Sequence, residues 1–277
     1  MRVLVTGANG NVGREVVRQL TKEAHDVFAG IRHVCGPLEM GVTSVQVDFE
    51  KRIGPEAHFD AIFLMRPPHL ADPALFEEFL ERYDRKTRII FLSVQGAGSR
   101  SFLPHAKIEN KIKEMGFRYV FVRPSYFMDN LLTTLWSEME RNQRIYLPAG
   151  NLQLDWVSVR DVASVSVAAI TGAVGESFVT VCSGVGIGFA ETCEIINRVT
   201  GTKISYQPAG LLGFVLYSRR NGVAWSYIGV MLLLHYLPRF QKQEFGKASA
   251  AKTVLKRDLE TLEEFVSRNR DQFTMLQ

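Results

Sequence analysis

The chain is poor in cysteine, has no long apolar run and carries no large excess of either charge. Each absence removes a class of protein. Its three cysteines, Cys35, Cys182 and Cys193, form no CxxC pair and no metal-ligand spacing. That argues against a disulfide scaffold or a cysteine-held zinc, so no metal is expected and the thiols read as small apolar side chains in a reducing compartment. The net charge of +4 comes from 33 basic and 29 acidic residues scattered along the chain. Without a basic stripe, no direct nucleic-acid partner is expected. The most apolar segment, VAWSYIGVMLLLHYL at 223–237, is shorter than the ~20 residues a bilayer core requires and contains Ser226 and His235. It reads as a buried helix or pocket wall, with no membrane partner. The opening MRVLVTGANG lacks the apolar run of a signal peptide, and a cytoplasmic location is expected. There is no repeat, low-complexity tract or long linker.

What is present is an alternation of strands and helices. Apolar runs at 3–6, 25–31, 42–47, 59–65, 88–94 and 118–122 read as strands. Segments 11–20, 72–83, 103–114 and 131–141 read as helices, the first with Val12, Val16, Val17 and Leu20 on one face. Asp72 is a plausible N-cap with Pro73 at the first helical position. In 103–114, Ile108, Ile112 and Met115 share a face, Lys107 and Lys111 lie on an adjoining one, and Glu109 is expected to pair with Lys113 four residues on.

Continuous apolar strands alternating with helices predict an α/β fold, a Rossmann-like doubly wound parallel sheet covered on both faces. After residue 150 the rhythm loosens. A strand and then a helix from Asp161 are expected in 157–170, with Asp161 as a cap. Another strand follows in GESFVTVC, and a helix over 189–200 has Ala190, Cys193, Ile195 and Ile196 on its apolar side. Residues 204–245 read as helical without a clear period, and 261–273 as a helix with a Thr261–Glu264 capping box. The expected organisation is a single dinucleotide-binding domain over 1–277. Its core of about 1–150 binds the cofactor, and about 151–277 forms a smaller, mostly helical substrate lobe.

The strongest motif is VTGANGNVG, with Gly7, Gly10 and Gly13 as GxxGxxG between the first strand and the first helix. Gly7 permits the tight turn, Gly10 lets backbone approach a pyrophosphate, and Gly13 lets the helix pack on the strand. The phosphates are expected on the free N–H groups of the helix start, so Thr6, Gly7, Asn9, Gly10, Asn11, Val12 and Gly13 are candidate cofactor residues. An NAD site ordinarily has an acid at the end of the second strand. Here that end is AGIRH, where Arg32 can meet a 2′-phosphate, with His33 beside it. NADP(H) is therefore expected over NAD(H). Asp48, ending the third strand, can accept from the adenine amino group or cap its own turn.

With AGIR, VDFE, SVQGAG, PHAKIENK, RPSYFMDN and VSVRDVA following that motif, the chain resembles the NmrA-like group of atypical short-chain dehydrogenases/reductases. That group contains quinone reductases, isoflavone-type reductases and cofactor-binding redox regulators. Ordinary members of the superfamily use a Tyr-x-x-x-Lys pair on the helix after the fifth strand and a Ser ending that strand. This chain has no tyrosine between Tyr83 and Tyr119. The resemblance implies that Lys107 stands where isoflavone-type reductases carry a lysine, as an acid, base or oxyanion partner. Ser93 falls at the serine's place, and His105 is a candidate second proton donor or a local cap. Met65, Arg66 and Pro67 are implied to touch the cofactor, as are Gln95 and Gly96 at the nicotinamide. Pro124, Ser125 and Phe127 are implied to pack beside it.

The aromatic and apolar stretch 206–240 is expected to close over the nicotinamide and to favour a small hydrophobic substrate. The leading expectation is an NADPH-dependent reductase passing hydride to a carbonyl, quinone or enone. The alternatives are an NADP(H)-binding sensor without catalysis and, less favoured, a nucleotide-sugar epimerase. A monomer or homodimer is expected.

Overall fold

Alternating apolar side chains set the framework. Leu4, Ile62, Leu64, Ile89, Phe91 and Phe121 point to one face of a sheet, into a cluster rich in phenylalanine. Their sequence neighbours Val3, Val5, Phe63, Ile90, Val120 and Val122 are also buried, as the period of two demands of a sheet covered on both sides. The computed structural model describes residues 1–34, 36, 41–240, 245–246 and 248–276. The chain forms two units. One comprises Met1–Ser125, Val159–Val181 and Ala248–Leu259, and the other Tyr126–Ser158, Cys182–Lys247 and Glu260–Gln277. The units therefore interleave along the chain.

The first stretch carries β1 (Arg2–Thr6), α1 (Asn11–Lys22), β2 (Asp26–Ile31), β3 (Thr43–Gln46), β4 (Ala61–Met65), α2 (Ala74–Leu80), β5 (Arg88–Leu92), α3 (Pro104–Glu114) and β6 (Arg118–Pro124). The chain then supplies β7 (Tyr126–Phe127), α4 (Trp136–Asn142), β8 (Arg144–Leu147) and β9 (Gln153–Val157) to the second unit. It returns with α5 (Val159–Ile170) and β10 (Phe178–Val181), and leaves again with β11 (Gly186–Gly188), α6 (Phe189–Thr200), β12 (Ser205–Pro208), α7 (Leu211–Arg220) and α8 (Trp225–Met231). Helix α9 (Ser249–Leu255) belongs to the first unit, α10 (Leu262–Arg268) and α11 (Arg270–Thr274) to the second.

In the first unit seven parallel strands run in the order β10-β6-β5-β4-β1-β2-β3, the doubly wound order with one strand added at the β6 edge. Helices α1, α5 and α9 pack together, and α2 packs with α3 against the phenylalanine cluster. Helix α1 buries Val12, Val16, Val17 and Leu20, the expected face. The N-cap of α2 is Pro73, one residue after the expected Asp72, whose Oδ1 accepts from the Ala74 amide at 3.0 Å just ahead of the helix. Helix α5 opens at Val159, two residues before Asp161. That side chain is buried and paired with Arg257 at 2.7 Å.

The second unit joins a three-stranded sheet, β11-β9-β7, to the pair β12-β8 around its own core. These short strands were not expected. The expected helix 131–141 is instead a 3-10 turn, Met128–Leu132, followed by α4. Residues 204–245 contain β12, α7, α8 and a π-helical turn, Leu232–Tyr236. In α6 the exposed Ala190 yields its expected place to Phe189. The Thr261–Glu264 capping box is present, but the terminal helix breaks at Asn269. Cys182 and Cys193 are buried and free, with burial pushing their thiols up to about 11 and about 12, while Cys35 lies outside the described residues.

Candidate functional site

The carboxyl ends of β1, β2, β4, β5 and β6 gather the candidate residues. At β1, Gly7 has φ +62°, the left-handed region that a side chain resists, and its carbonyl accepts from the Gly10 amide at 2.9 Å. A Cβ at Gly13 would lie 2.2 Å from the Gly7 carbonyl oxygen, so only glycine lets α1 start this close to β1. Gly10 is the N-cap of α1 and offers no side chain, and the first turn holds no acid. The amides of Asn11, Val12 and Gly13 at the first three helical positions thus have no partner within the helix. Twelve residues of α1 place their aligned dipoles behind them. This cradle of backbone donors fits a pyrophosphate, and the Met65 methyl lies over Gly7 and Gly10 as one wall.

The Thr6 side chain serves the fold. It is fully buried, its hydroxyl donates to the Phe63 carbonyl and accepts from the Met65 amide at 2.8 Å, and so it ties β1 to β4. Asn9 is exposed, and its carbonyl accepts from Arg14 on the first turn of α1, at 3.3 Å. Arg14, a cation beside the cradle, was missed because GNVGR reads as the continuation of an amphipathic helix.

Beyond the end of β2, Arg32 and His33 are exposed. The Arg32 carbonyl accepts from Gln46, and its Nη2 lies 3.3 Å from His69 Nε2, itself 3.4 Å from Glu50. His69 had no signal in the sequence beyond its place after the RPP breaker. Asp48 is buried and its Oδ1 accepts from the amides of Glu50 and Lys51, both at 3.1 Å, so this oxygen holds its own turn. The Arg66 guanidinium folds back: Nη1 donates to the carbonyls of Pro67, Pro68 and Leu70, and Nε donates to His105 Nε2 at 3.3 Å. Burial lowers its pKa. Arg66 therefore fastens the loop that carries Pro67.

The start of α3 corrects two expectations. Glu109 does not pair with Lys113. It is buried on the sheet side, where Arg123 donates to it through Nε at 2.9 Å and Nη2 at 2.5 Å, and Ser93 Oγ donates at 2.6 Å. The Ser93 hydroxyl is therefore already committed. Lys113 instead lies over the Phe121 ring at 5.5 Å. Lys111 turns away from the strand ends to Glu77 of α2 and Glu114, at 3.2 and 3.3 Å, and those carboxylates raise its pKa. Lys107, on the second turn, is exposed, and no carboxylate pairs with it among the described residues. His105 is held neutral. Burial and the neighbouring Arg66 push its pKa down to about 4, so it is not an imidazolium donor near neutral pH.

Gly96 follows Gln95 with φ +85°, and the Gln95 amide donates to the Pro124 carbonyl at 2.9 Å, joining the loops after β5 and β6. The Ser125 hydroxyl is buried with no hydrogen-bond partner among the described residues. Phe127 falls in β7 of the second unit.

Sequence and structure comparisons give a consistent kinship. The chain is 26% identical over 218 residues to an NAD(P)H azoreductase of Xenophilus azovorans, covering 74% of this chain and 76% of that one. Its fold superposes on the triphenylmethane reductase of Citrobacter sp. with a TM-score of 0.80 at 18% identity, covering 98% and 100% of the two chains. For the NADPH-dependent quinone oxidoreductase QOR2 of Escherichia coli the values are 0.77, 17%, 96% and 99%. A mutant NmrA superposes at 0.69 with 14% identity, over 98% and 96%. The chain is thus similar in sequence to an NAD(P)H reductase and shares its fold with NADPH-linked reductases and NmrA. No family model matches it. The chain carries the glycine cradle, and α3, whose sequence is PHAKIENKIKE, holds no tyrosine.

Proposed function

We propose that this chain is an NADPH-dependent reductase that reduces a small hydrophobic carbonyl, quinone or enone. The observation that carries the reading is the glycine cradle at the open start of α1, where a Cβ at Gly13 would meet backbone at 2.2 Å. The names of the relatives, an azoreductase and a quinone oxidoreductase, support the same reaction class. When bound, the reduced nicotinamide supplies the hydride. The chain's own residues do the rest. The amides of Asn11 to Gly13 hold the pyrophosphate, and Arg32, with His69 against it, meets a 2′-phosphate. Gly96 and the orphan Ser125 hydroxyl offer polar contacts at the ends of β5 and β6. Lys107 is the cation at the start of α3, and its role is to stabilise charge at the acceptor oxygen as it develops.

A second reading, a cofactor-binding sensor without turnover, draws on a specific observation. Ser93 is tied to Glu109, His105 is neutral and no tyrosine stands on α3, so the usual acid set is incomplete. NADPH oxidation over a panel of quinones and enones separates the two. The reductase predicts turnover, with Lys107→Ala lowering kcat roughly a hundredfold while NADPH affinity holds. Tight NADPH binding without turnover of any acceptor gives the sensor. Arg32→Ala is expected to weaken NADPH binding roughly tenfold and leave NADH binding unchanged. An unchanged preference removes Arg32 from the 2′-phosphate site.

A further inference from the structure

The second unit leaves a large apolar surface uncovered. Helix α8 and the π-helical turn after it carry large apolar side chains on both their buried and their exposed sides. Ile228, Met231 and His235 face the core, and His235 is held there by Tyr126 at 2.9 Å. The opposite side exposes Val230, Leu233, Leu234 and Leu237, a helical stripe of spacing three, one and three. Trp225 at its start is 64% exposed and Phe240 at its end 68%. Helix α7, packed beside α8, adds Leu216 and the 76% exposed Leu212. Soluble proteins seldom leave so many neighbouring large apolar side chains in water without a use for them.

The charge on this surface is of one sign. No Asp or Glu occurs from residue 195 to 243, whereas Arg219, Arg220 and Arg239 are exposed around the stripe. Arg219 lies over the Trp225 ring at 4.9 Å at one end, and Arg239 over Tyr236 and Phe240 at 5.4 and 5.0 Å at the other. Among the described residues no carboxylate pairs with these guanidinium groups. A second copy of the chain is a poor occupant, because a self-complementary interface would set this cationic patch against itself. An apolar stripe bordered by cations stacked on aromatic rings is instead the chemistry of an anionic bilayer surface. Leucines enter the headgroup–acyl boundary, tryptophan sits at its level and arginines meet phosphates.

We propose that α7, α8 and the following turn dock the protein onto anionic lipid bilayers, lying in the interface without crossing it. No helix among the described residues is long and apolar enough to span. The inference does not rest on the proposed reductase activity, since its test involves no cofactor.

The test is flotation of the full chain with vesicles of phosphatidylcholine alone and of phosphatidylcholine mixed with phosphatidylglycerol. Tryptophan emission is followed with and without quencher-labelled lipid. The expected result is binding to the anionic vesicles only, with a blue-shifted, lipid-quenched emission that Trp225→Phe removes. Salt should weaken it, because exposed arginine–phosphate attraction is screened. Arg219→Gln and Arg220→Gln should each lower partitioning roughly fivefold. Leu234→Gln with Leu237→Gln should abolish it, with little change in Tm because these side chains are already about half exposed. Failure of the wild-type protein to float with anionic vesicles, or equal flotation of all variants, overturns the proposal. So does a dimer that those leucine changes dissociate while vesicle binding is absent. If a variant fails to fold, the salt dependence and the quenching of wild-type Trp225 decide alone.

Discussion

Helices α1 and α3 begin at the carboxyl edge of the same parallel sheet and use it in opposite ways. The start of α1 is all backbone: three glycines, no capping side chain and no acid. The start of α3 is all side chain: Pro104 sets the first turn, then His105, Lys107 and Glu109 each take a different environment. Steric demands at α1 admit one residue type, whereas at α3 the environment decides what each polar group does. His105 is neutral because it is buried against Arg66, and Glu109 is buried where Arg123 and Ser93 both donate to its carboxylate oxygens. Removing a group from each start tests that contrast.

The largest effect is expected at α3. Glu109→Ala leaves the Arg123 guanidinium buried without its anion, and the loss should be about 3–5 kcal/mol of folding stability in urea unfolding. A loss under about 1 kcal/mol would mean that Glu109 acts like the surface partner its sequence spacing implies. At α1, Gly13→Ala drives a Cβ into the Gly7 carbonyl and should cost about 1–3 kcal/mol while abolishing dinucleotide binding by titration. Gly10→Ala meets nothing closer than 3.3 Å, so the fold should hold while cofactor affinity falls. Equal stability loss at both positions would contradict the steric account.

The histidines carry the contrast into pH. His105 in the first unit and His235 in the second each have a folded pKa pushed down to about 4 from an ordinary 6.5, burial being the main cause in both. The unfolded chain binds protons that the folded chain refuses between those values. Stability should therefore be full above about pH 6.5 and decline as pH falls toward 4, with a limiting slope of about 1.4 kcal/mol per pH unit per histidine. Urea midpoints across pH 4 to 7 measure it. His105→Asn should shallow the slope, and an unchanged slope would show that His105 is not held neutral.

The first unit was legible because its signals are strong and local. Continuous apolar strands, the glycine spacing and the faces of α1 and α3 are written in adjacent residues. The expected strand cores fall within the observed seven-stranded sheet. The second unit was not, because β7, β8, β9, β11 and β12 have no more than five residues each and pair with distant partners. The segment after 204 is apolar on every side, so periodicity had nothing to read. At the site, backbone features were legible and side-chain roles were not. Nothing local says that Thr6, Asp48, Arg66 and Ser93 spend polar groups on the fold, or that Arg14 reaches the Asn9 carbonyl and His69 lies between Arg32 and Glu50.

The smallest expected effect lies with the two lysines that share a face of α3. Spacing four residues apart makes Lys107 and Lys111 look equivalent. The surroundings separate them. Lys111 lies between Glu77 and Glu114, two exposed or half-exposed carboxylates screened by water. Such pairs contribute little, so Lys111→Ala should leave Tm, cofactor affinity and turnover indistinguishable from wild type. Lys107 has no such partners among the described residues and stands one turn closer to the strand ends, where the loops after β4 and β5 and the His105 ring already gather. Thermal unfolding and NADPH kinetics on both single variants compare the positions directly. A drop in turnover with Lys111→Ala as large as that with Lys107→Ala would show that α3 acts as one cationic face, and that Lys107 holds no place of its own.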